Sequence, residues 1–300
     1  MSAKAALFIV LAAVAVAFGV FWFRQARAKW EGSPTWAQVA IGALTDFLDT
    51  LGIGSFATTT SLFKLGRVVD DAEIPGTLNV GHTVPTFAEA FIFIAVVEVE
   101  MSTLVLMIGA AVAGAWLGAG FVSRWPKRRI QIGMGVLLLV AAGIMVARVT
   151  GFMPGGGEAL GLSGARLGIG IAGNFALGAL MTLGIGLYAP CMILVALLGM
   201  YDKAAFPIMM GSCAFLMPAA SVRFVRSGRY DLRAALGLTL AGTPAALIAG
   251  LIVKELPLDK VKWLVVVVVV YTAIAMLRSA ARDRANVDNV GNVDSQARNV

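Results

Sequence analysis

The chain has 300 residues, 59% of them hydrophobic and 14% charged, and a net charge of +7. A soluble domain is nearer half apolar and a quarter charged, so this composition excludes an ordinary soluble enzyme and indicates an integral membrane protein. The Lys and Arg residues sit between apolar runs, where cytoplasmic loops concentrate them, so the charge does not point to nucleic acid; with His82 as the one histidine, a His-based metal cluster is excluded as well.

Residues 5–23 follow Lys4 as an uncharged, mostly apolar run. That length fits a membrane-spanning helix. It is long for the core of a signal peptide, although Ala26-Arg27-Ala28 resembles a cleavage triplet, so a retained helix is expected. The basic linker that follows, with Arg24, Arg27 and Lys29, belongs in the cytoplasm.

Residues 36–63 are apolar but carry Asp46, Asp49 and a Gly52-Ile53-Gly54 pivot. As one helix this stretch would reach about 42 Å, too short to cross a hydrocarbon core of roughly 30 Å twice. A re-entrant hairpin turning at the glycines fits better, since broken backbone at membrane depth is tolerated only inside protein or along a cavity. A polar loop at 64–76 and three ordinary spans at about 78–97, 102–122 and 130–148 complete this unit. The pivot then recurs: Thr50-Leu51-Gly52-Ile53-Gly54 reappears letter for letter as Thr182-Leu183-Gly184-Ile185-Gly186, 132 positions later. Pro75 answers to Pro207 at the same offset, and Trp125-Pro126 to Leu256-Pro257 at 131. Such an offset marks an internal duplication. The second copy repeats the plan, with a hairpin at 166–200 and spans at about 207–224, 232–253 and 262–278. The polar tail beyond 282 is expected to be disordered.

Loop charges set the orientation. The loop at 124–129 carries Arg124, Lys127, Arg128 and Arg129 and belongs inside, whereas 98–101 carries Glu98 and Glu100 and belongs outside. The loop at 223–233, in the second-copy position of 98–101, carries Arg223, Arg226, Arg229 and Arg233 and belongs inside. A hairpin plus three spans is an odd number of crossings, so the second copy must be inverted. The loop at 254–262 dissents, with Lys254, Lys260 and Lys262 on the side expected to be outer. The expected fold is therefore an all-α polytopic membrane protein. It has two inverted repeats, each a broken hairpin plus three transmembrane helices, and an extra N-terminal transmembrane helix. The divisions fall at 1–35, 36–149 (first repeat), 150–165 (linker), 166–279 (second repeat) and 280–300.

Duplicated pivots in a membrane protein point to a transporter with its site between the halves. Behind the first pivot a new limb opens with Ser55, Thr58, Thr59, Thr60 and Ser61; behind the second it opens with Tyr188, Pro190 and Cys191. Unpaired N–H groups at a helix start attract anions, and the hydroxyls add donors. The candidate substrate-binding set is Gly52, Gly54, Ser55, Thr58, Thr59, Thr60, Gly184, Gly186, Tyr188, Cys191, Ser212 and Cys213. The competing reading is that these small residues only pack helices together. Asp46 and Asp49 are three apart and share a helix face; carboxylates at membrane depth are costly and default to function. His82, with Asn79 a turn before it and Glu89 two turns after, titrates near neutrality. Asp46, Asp49, His82 and Glu89 are the candidate proton-coupling set, against a reading as interfacial or packed groups. Cys191 and Cys213 lie in apolar segments of one half, where free packing thiols are commoner than a disulfide.

The two-copy layout and two second-half blocks resemble the TauE/SafE sulfite exporter family (the TSUP transporters) over about residues 36–278. The blocks are Thr182-Leu183-Gly184-Ile185-Gly186-Leu187-Tyr188-Ala189-Pro190-Cys191 and Phe206-Pro207-Ile208-Met209-Met210-Gly211-Ser212-Cys213, the latter followed by Arg226-Ser227-Gly228-Arg229-Tyr230-Asp231. The resemblance implies a bacterial inner-membrane permease that moves sulfite, organosulfonates or related sulfur-containing anions, usually outward. Gly211-Ser212-Cys213 departs from the family's Gly-Thr-Ser pattern, and the first pivot has fewer glycines than usual. The expected function is alternating-access export of such an anion, with the bilayer and protons as further partners, no cofactor, no metal and no enzymatic activity. A small-anion channel and a non-transporting membrane scaffold are the rival readings.

Overall fold

The computed structural model describes residues 2–30, 32–52, 54–70, 72–118, 150–152, 157–181, 186–255 and 273–281, with scattered positions at 128, 132–133, 135–136, 139–140, 142–143, 146–147, 260, 263, 266–267 and 270–271. Several expectations lie outside these residues: Ile53, the second pivot at 182–185 with Gly184, Trp125-Pro126 and Leu256-Pro257, the loop charges Arg124, Lys127, Arg129 and Lys262, and the tail beyond 281. Much of the spans at 130–148 and 262–278 lies outside them too, as does the side chain of Ser61.

The described elements are helical. They are α1 (Ala3–Ala28), α2 (Trp36–Thr50), α3 (Ser55–Gly66), α4 (Ile74–Val96), α5 (Met101–Ala113, running into a π turn at Gly114–Gly118), α6 (Gly164–Met181), α7 (Tyr188–Leu197), α8 (Ala205–Ser227) and α9 (Leu232–Glu255). Five of the described helices are long and apolar enough to cross a membrane, and the protein is an all-α polytopic membrane protein. Helices α2 and α3 are joined by a tight break within the first stretch expected to form a hairpin. The first turn sits at Gly52 and Gly54, whose φ values of 93° and 79° are ones a residue with a Cβ rarely adopts.

One boundary differs from expectation. The polar loop expected at 64–76 is shorter, because α3 runs to Gly66 and α4 already begins at Ile74. Pro75 and Gly76 thus lie in the first turn of α4, where proline costs no hydrogen bond.

Adding 132 to the bounds of α2, α3 and α4 (36–50, 55–66, 74–96) gives 168–182, 187–198 and 206–228. The observed α6, α7 and α8 are 164–181, 188–197 and 205–227. The packing follows the same correspondence. Helix α2 lies along α9, with Gln38 against Gly237, Gly42 against the Leu238 backbone and Asp46 against Gly242. Helix α6 lies along α5, with Gly178 against the Ala111 backbone and the Asn174 amide donating to the Met107 carbonyl at 2.7 Å. Glycines at these crossings let the backbones meet; a Cβ on Gly42 would come within 2.6 Å of the Leu238 Cα.

Helices α4 and α8 form the central pair and run antiparallel. Thr77 Oγ1 accepts from the Asp231 N–H at one end, the Thr83 and Ser221 hydroxyls meet at 3.1 Å in the middle, and the Phe93 and Phe206 rings stack at the other end. Pro85 interrupts α4 and cannot donate to the carbonyl of Gly81, four residues back. Thr239 of α9 takes up that carbonyl with a 2.7 Å hydrogen bond. Helix α1 packs on α4 and α8 through Leu11, Phe18 and Trp22, and Phe18 and Phe8 contact Phe87 and Phe91.

Two faces result. One gathers the ends of α1 and α8 and the starts of α2, α4 and α9, with Arg24, Arg27, Lys29, Arg223, Arg226 and Arg229 exposed; the Arg233 side chain donates there to the Ser33 carbonyl. The other is tied together by backbone bonds from Glu100 N–H to Leu160 O and from Tyr201 N–H to Ala159 O.

Candidate functional site

The buried polar groups concentrate where the break between α2 and α3 meets α4. Asp46 and Asp49 sit a turn apart on α2 and both are buried, as are His82 and Glu89 on α4 and Thr59 on α3. Asp46 Oδ1 and His82 Nδ1 are 2.8 Å apart, and His82 Nε2 lies 3.0 Å from Thr59 Oγ1. One imidazole thus bridges a carboxylate on the first limb of the hairpin and a hydroxyl on the second. The shared face of Asp46 and Asp49 is as expected, but their partners differ. The Asp49 Oδ1 accepts a 2.5 Å hydrogen bond from the Ser55 N–H. Gly54, in the capping position, has no side chain to do this.

That bond changes the expected picture of the α3 start. The first N–H was expected to be open to an anion; a carboxylate of the protein itself occupies it. Thr58 is equally engaged, its hydroxyl donating to the carbonyls of Gly54 and Ser55. Of the hydroxyls named from the sequence in this limb, Thr59 is the one that reaches the cluster across to α4, and Thr60 is half-buried.

Glu89 ties the cluster to the second half. Its Oε1 accepts from Thr50 Oγ1 at 2.7 Å and its Oε2 from the Tyr188 hydroxyl at 2.9 Å. Thr50 also donates to the Asp46 carbonyl. Tyr188 is the first residue of α7 and Thr50 the last of α2, so Glu89 bridges the end of α2 and the start of α7. The start of α7 has no side-chain cap.

The remaining candidates divide. Cys191 and Cys213 are free and buried, and the Cys213 Sγ lies 3.6 Å from Met181 Sδ. Ser212 stands apart from the carboxylates, accepting from Asn174 Nδ2 at 3.0 Å in a polar pair between α6 and α8. Gly52 packs against Met192 and Phe206, and Gly186 is half-buried beside the α7 start. Asn79 is spent locally, its amide donating to the Pro75 carbonyl.

Sequence reasoning missed three features. Thr50 is in the repeated pentapeptide, yet its bond to Glu89 spans 39 positions. Asn174 had no local signal beyond being a lone amide in an apolar run. Gly242 was passed over, though its Cα lies against Asp46 so closely that a Cβ would fall 1.9 Å from Oδ2. That Oδ2 atom is buried with no hydrogen-bond partner. No group of three or more His, Cys, Asp or Glu placed to hold a metal ion occurs among the described residues.

Asp46, His82, Thr59 and Glu89 each have a titratable or hydroxyl neighbour within hydrogen-bond distance, whereas Asp49 is held by a backbone N–H. Intramembrane carboxylates of this kind are costly unless paired.

Residues 1–145 match the model of the sulfite exporter TauE/SafE family. No curated protein and no solved structure matches the chain. The match takes in α1 to α5, and with them Asp46, Asp49, Thr59, His82 and Glu89. It reaches further toward the N-terminus than the resemblance read from the sequence and does not include the two second-half blocks.

Proposed function

With residues 1–145 in the sulfite exporter TauE/SafE family as the premise, we propose that the chain exports small sulfur-containing anions, sulfite or organosulfonates, across the bacterial inner membrane. The mechanism is alternating access by two inverted repeats, 36–149 and 166–279, about a site between the starts of α3 and α7. The antiparallel course of α4 and α8 and the matching pairs α2/α9 and α6/α5 support the inversion. The observation that carries the functional reading is the buried Asp46–His82–Thr59 chain at the first break and, beside it, the Thr50–Glu89–Tyr188 chain that reaches the start of α7.

Thr59 beside the first break and the start of α7, where the Tyr188 hydroxyl donates to Glu89, flank the place offered to the anion. Helix starts at membrane depth serve anionic substrates in this way. Asp49 is the obstacle, since its carboxylate holds the N–H that an anion would take at the α3 start. Two negative charges do not share one donor, so an anion enters this place only when Asp49 is protonated or withdrawn. Asp46, a turn before Asp49 on α2, and its partner His82 share the same buried cluster, so their charge bears on when that happens. Anion and proton binding are thereby linked, and linkage is reciprocal.

The test is sulfite flux in proteoliposomes, with and without a pH gradient, for the native chain and Thr59→Val. Loss of flux in a folded variant supports the site. Flux of a taurine-like or sulfoacetate-like anion without sulfite flux would correct the substrate, and absence of any flux would overturn the transport reading.

A further inference from the structure

On the face opposite the basic one, a pocket of about 390 Å³ opens between the end of α4 and the start of α8. Val96, Val97 and Glu98 line one side, Leu160, Tyr201 and Lys203 the other, and Phe93 and Phe206 the bottom. The rim is fixed by the backbone bonds of Glu100 to Leu160 and Tyr201 to Ala159.

The two bottom residues are different from the walls. Their rings are stacked, with centroids 5.0 Å apart and planes 21° from parallel, and each side chain is 1% exposed. They line the pocket yet are almost wholly buried. Beneath Phe206 lies the first hairpin turn, since a Cβ on Gly52 would be 3.7 Å from the Phe206 ring edge. Beneath Phe93, one turn along α4, lies Glu89. The pair therefore stands between a solvent-reachable pocket and the buried carboxylates. It joins the central helices α4 and α8 at the end where they are furthest from the basic face.

We propose that the Phe93–Phe206 stack is the barrier on this side of the membrane and that the pocket above it is the vestibule of the permeation path. This rests on the transport reading above and adds its outer gate. Two aromatic rings from separate helices suit the role. Offset stacking adds to the hold given by their buried area, enough to seal and little enough to part. A small relative shift of α4 and α8 separates them without breaking a covalent or charged link.

The protein carries its own reporter. Cys213 lies seven residues beyond Phe206 on α8, on the cluster side of the barrier, and is fully buried. The experiment is labelling of the full chain in sealed, right-side-out vesicles by a membrane-impermeant cationic methanethiosulfonate, followed by mass spectrometry of the Cys213 and Cys191 peptides. The native chain should label slowly. Phe206→Ala and Phe93→Ala should each label at least tenfold faster, and Cys213→Ser in the Phe206→Ala background should remove the Cys213 signal.

Equal rates in native and variant chains would overturn the barrier, as would fast labelling of the native chain. Should an alanine variant fail to fold, Phe206→Leu and Phe93→Leu retain bulk but lose the stack, and the same comparison applies with a smaller increase. The outcome is independent of substrate. A native chain that moves no anion, yet shows the expected labelling, sinks the transport reading and leaves the closure intact; normal flux with unchanged labelling does the reverse.

Discussion

Gly242→Ala is the most searching single substitution. Gly242 is on α9, facing Asp46 of α2, and the added Cβ would lie 1.9 Å from Oδ2, 2.6 Å from Cγ and 3.1 Å from Cβ of the aspartate. The nearest atoms belong to a short side chain that is itself held, since Oδ1 is 2.8 Å from His82 Nδ1. Asp46 cannot yield by more than a few tenths of an ångström without losing that bond. Either the α2/α9 seam parts, at the roughly 1–3 kcal/mol typical of an overpacked core, or the Asp46–His82 hydrogen bond is broken. Hydrogen bonds to charged groups are worth about 1.5–3 kcal/mol. The expected loss is about 1–3 kcal/mol, or roughly 3–9 °C in the midpoint of thermal unfolding by the scaling of soluble domains. Thermal denaturation in detergent followed by size-exclusion monitoring reads it directly. Gly109→Ala on α5 is the control, since nothing lies within 4 Å of its Cβ position and alanine favours a helix by about 1 kcal/mol. A Gly242→Ala protein as stable as the control, with unimpaired flux, would refute the claim that Asp46 is fixed between His82 and α9.

Asp49→Asn should flatten the dependence of anion flux on pH and hold it near the native acid-side value, as the amide imitates a protonated carboxyl; a native pH profile in liposome flux would count against the linkage. His82→Ala removes the bridge between Asp46 and Thr59 and leaves two buried groups unpartnered, so flux should fall at least tenfold, with Asp46→Asn partly restoring stability in the double variant by calorimetry. Thr239→Val takes away the donor on the Gly81 carbonyl that Pro85 leaves free; the orphaned carbonyl should cost about 1–3 kcal/mol, seen as a lower unfolding midpoint, while flux in the folded fraction stays native.

The helices were legible because length and apolarity announce them, and α6, α7 and α8 stand close to where the 132-residue offset puts the counterparts of α2, α3 and α4. The cluster was legible in its membership. Asp46, Asp49, His82 and Glu89 were marked by being titratable residues in an apolar chain, where such residues seldom occur without a partner. Their partners were not legible. Spacing put Asp46 and Asp49 on one face, but whether each would meet a side chain or a backbone N–H depends on how α2 turns back at Gly52. The Glu89–Tyr188 bond crosses 99 positions, and no local periodicity encodes which helix lies beside which. The Gly242 contact was hidden for the same reason, since a glycine inside an apolar helix gives no sign of what its bare face touches. The Asp49 cap was within reach of the sequence, because Gly54 opens a helix and cannot cap it, and an aspartate five residues upstream is the nearest acceptor able to do so.

The way the helices pair has a consequence for taking the molecule apart. Helix α9, from late in the chain, packs along α2 and α4, while α5, from early in the chain, packs along α6 and α8. Each half has lent a helix to the other, so the interlocked bodies do not coincide with the sequence halves. Cutting the chain between α5 and α6 would not yield two free modules; each fragment would expose the groove left by its missing helix. The antiparallel α4/α8 seam joins the two sets instead, and a division along it crosses the polypeptide more than once. Fragments made by splitting at this linker should recover a stable protein only when synthesised together, and then as a clasped pair.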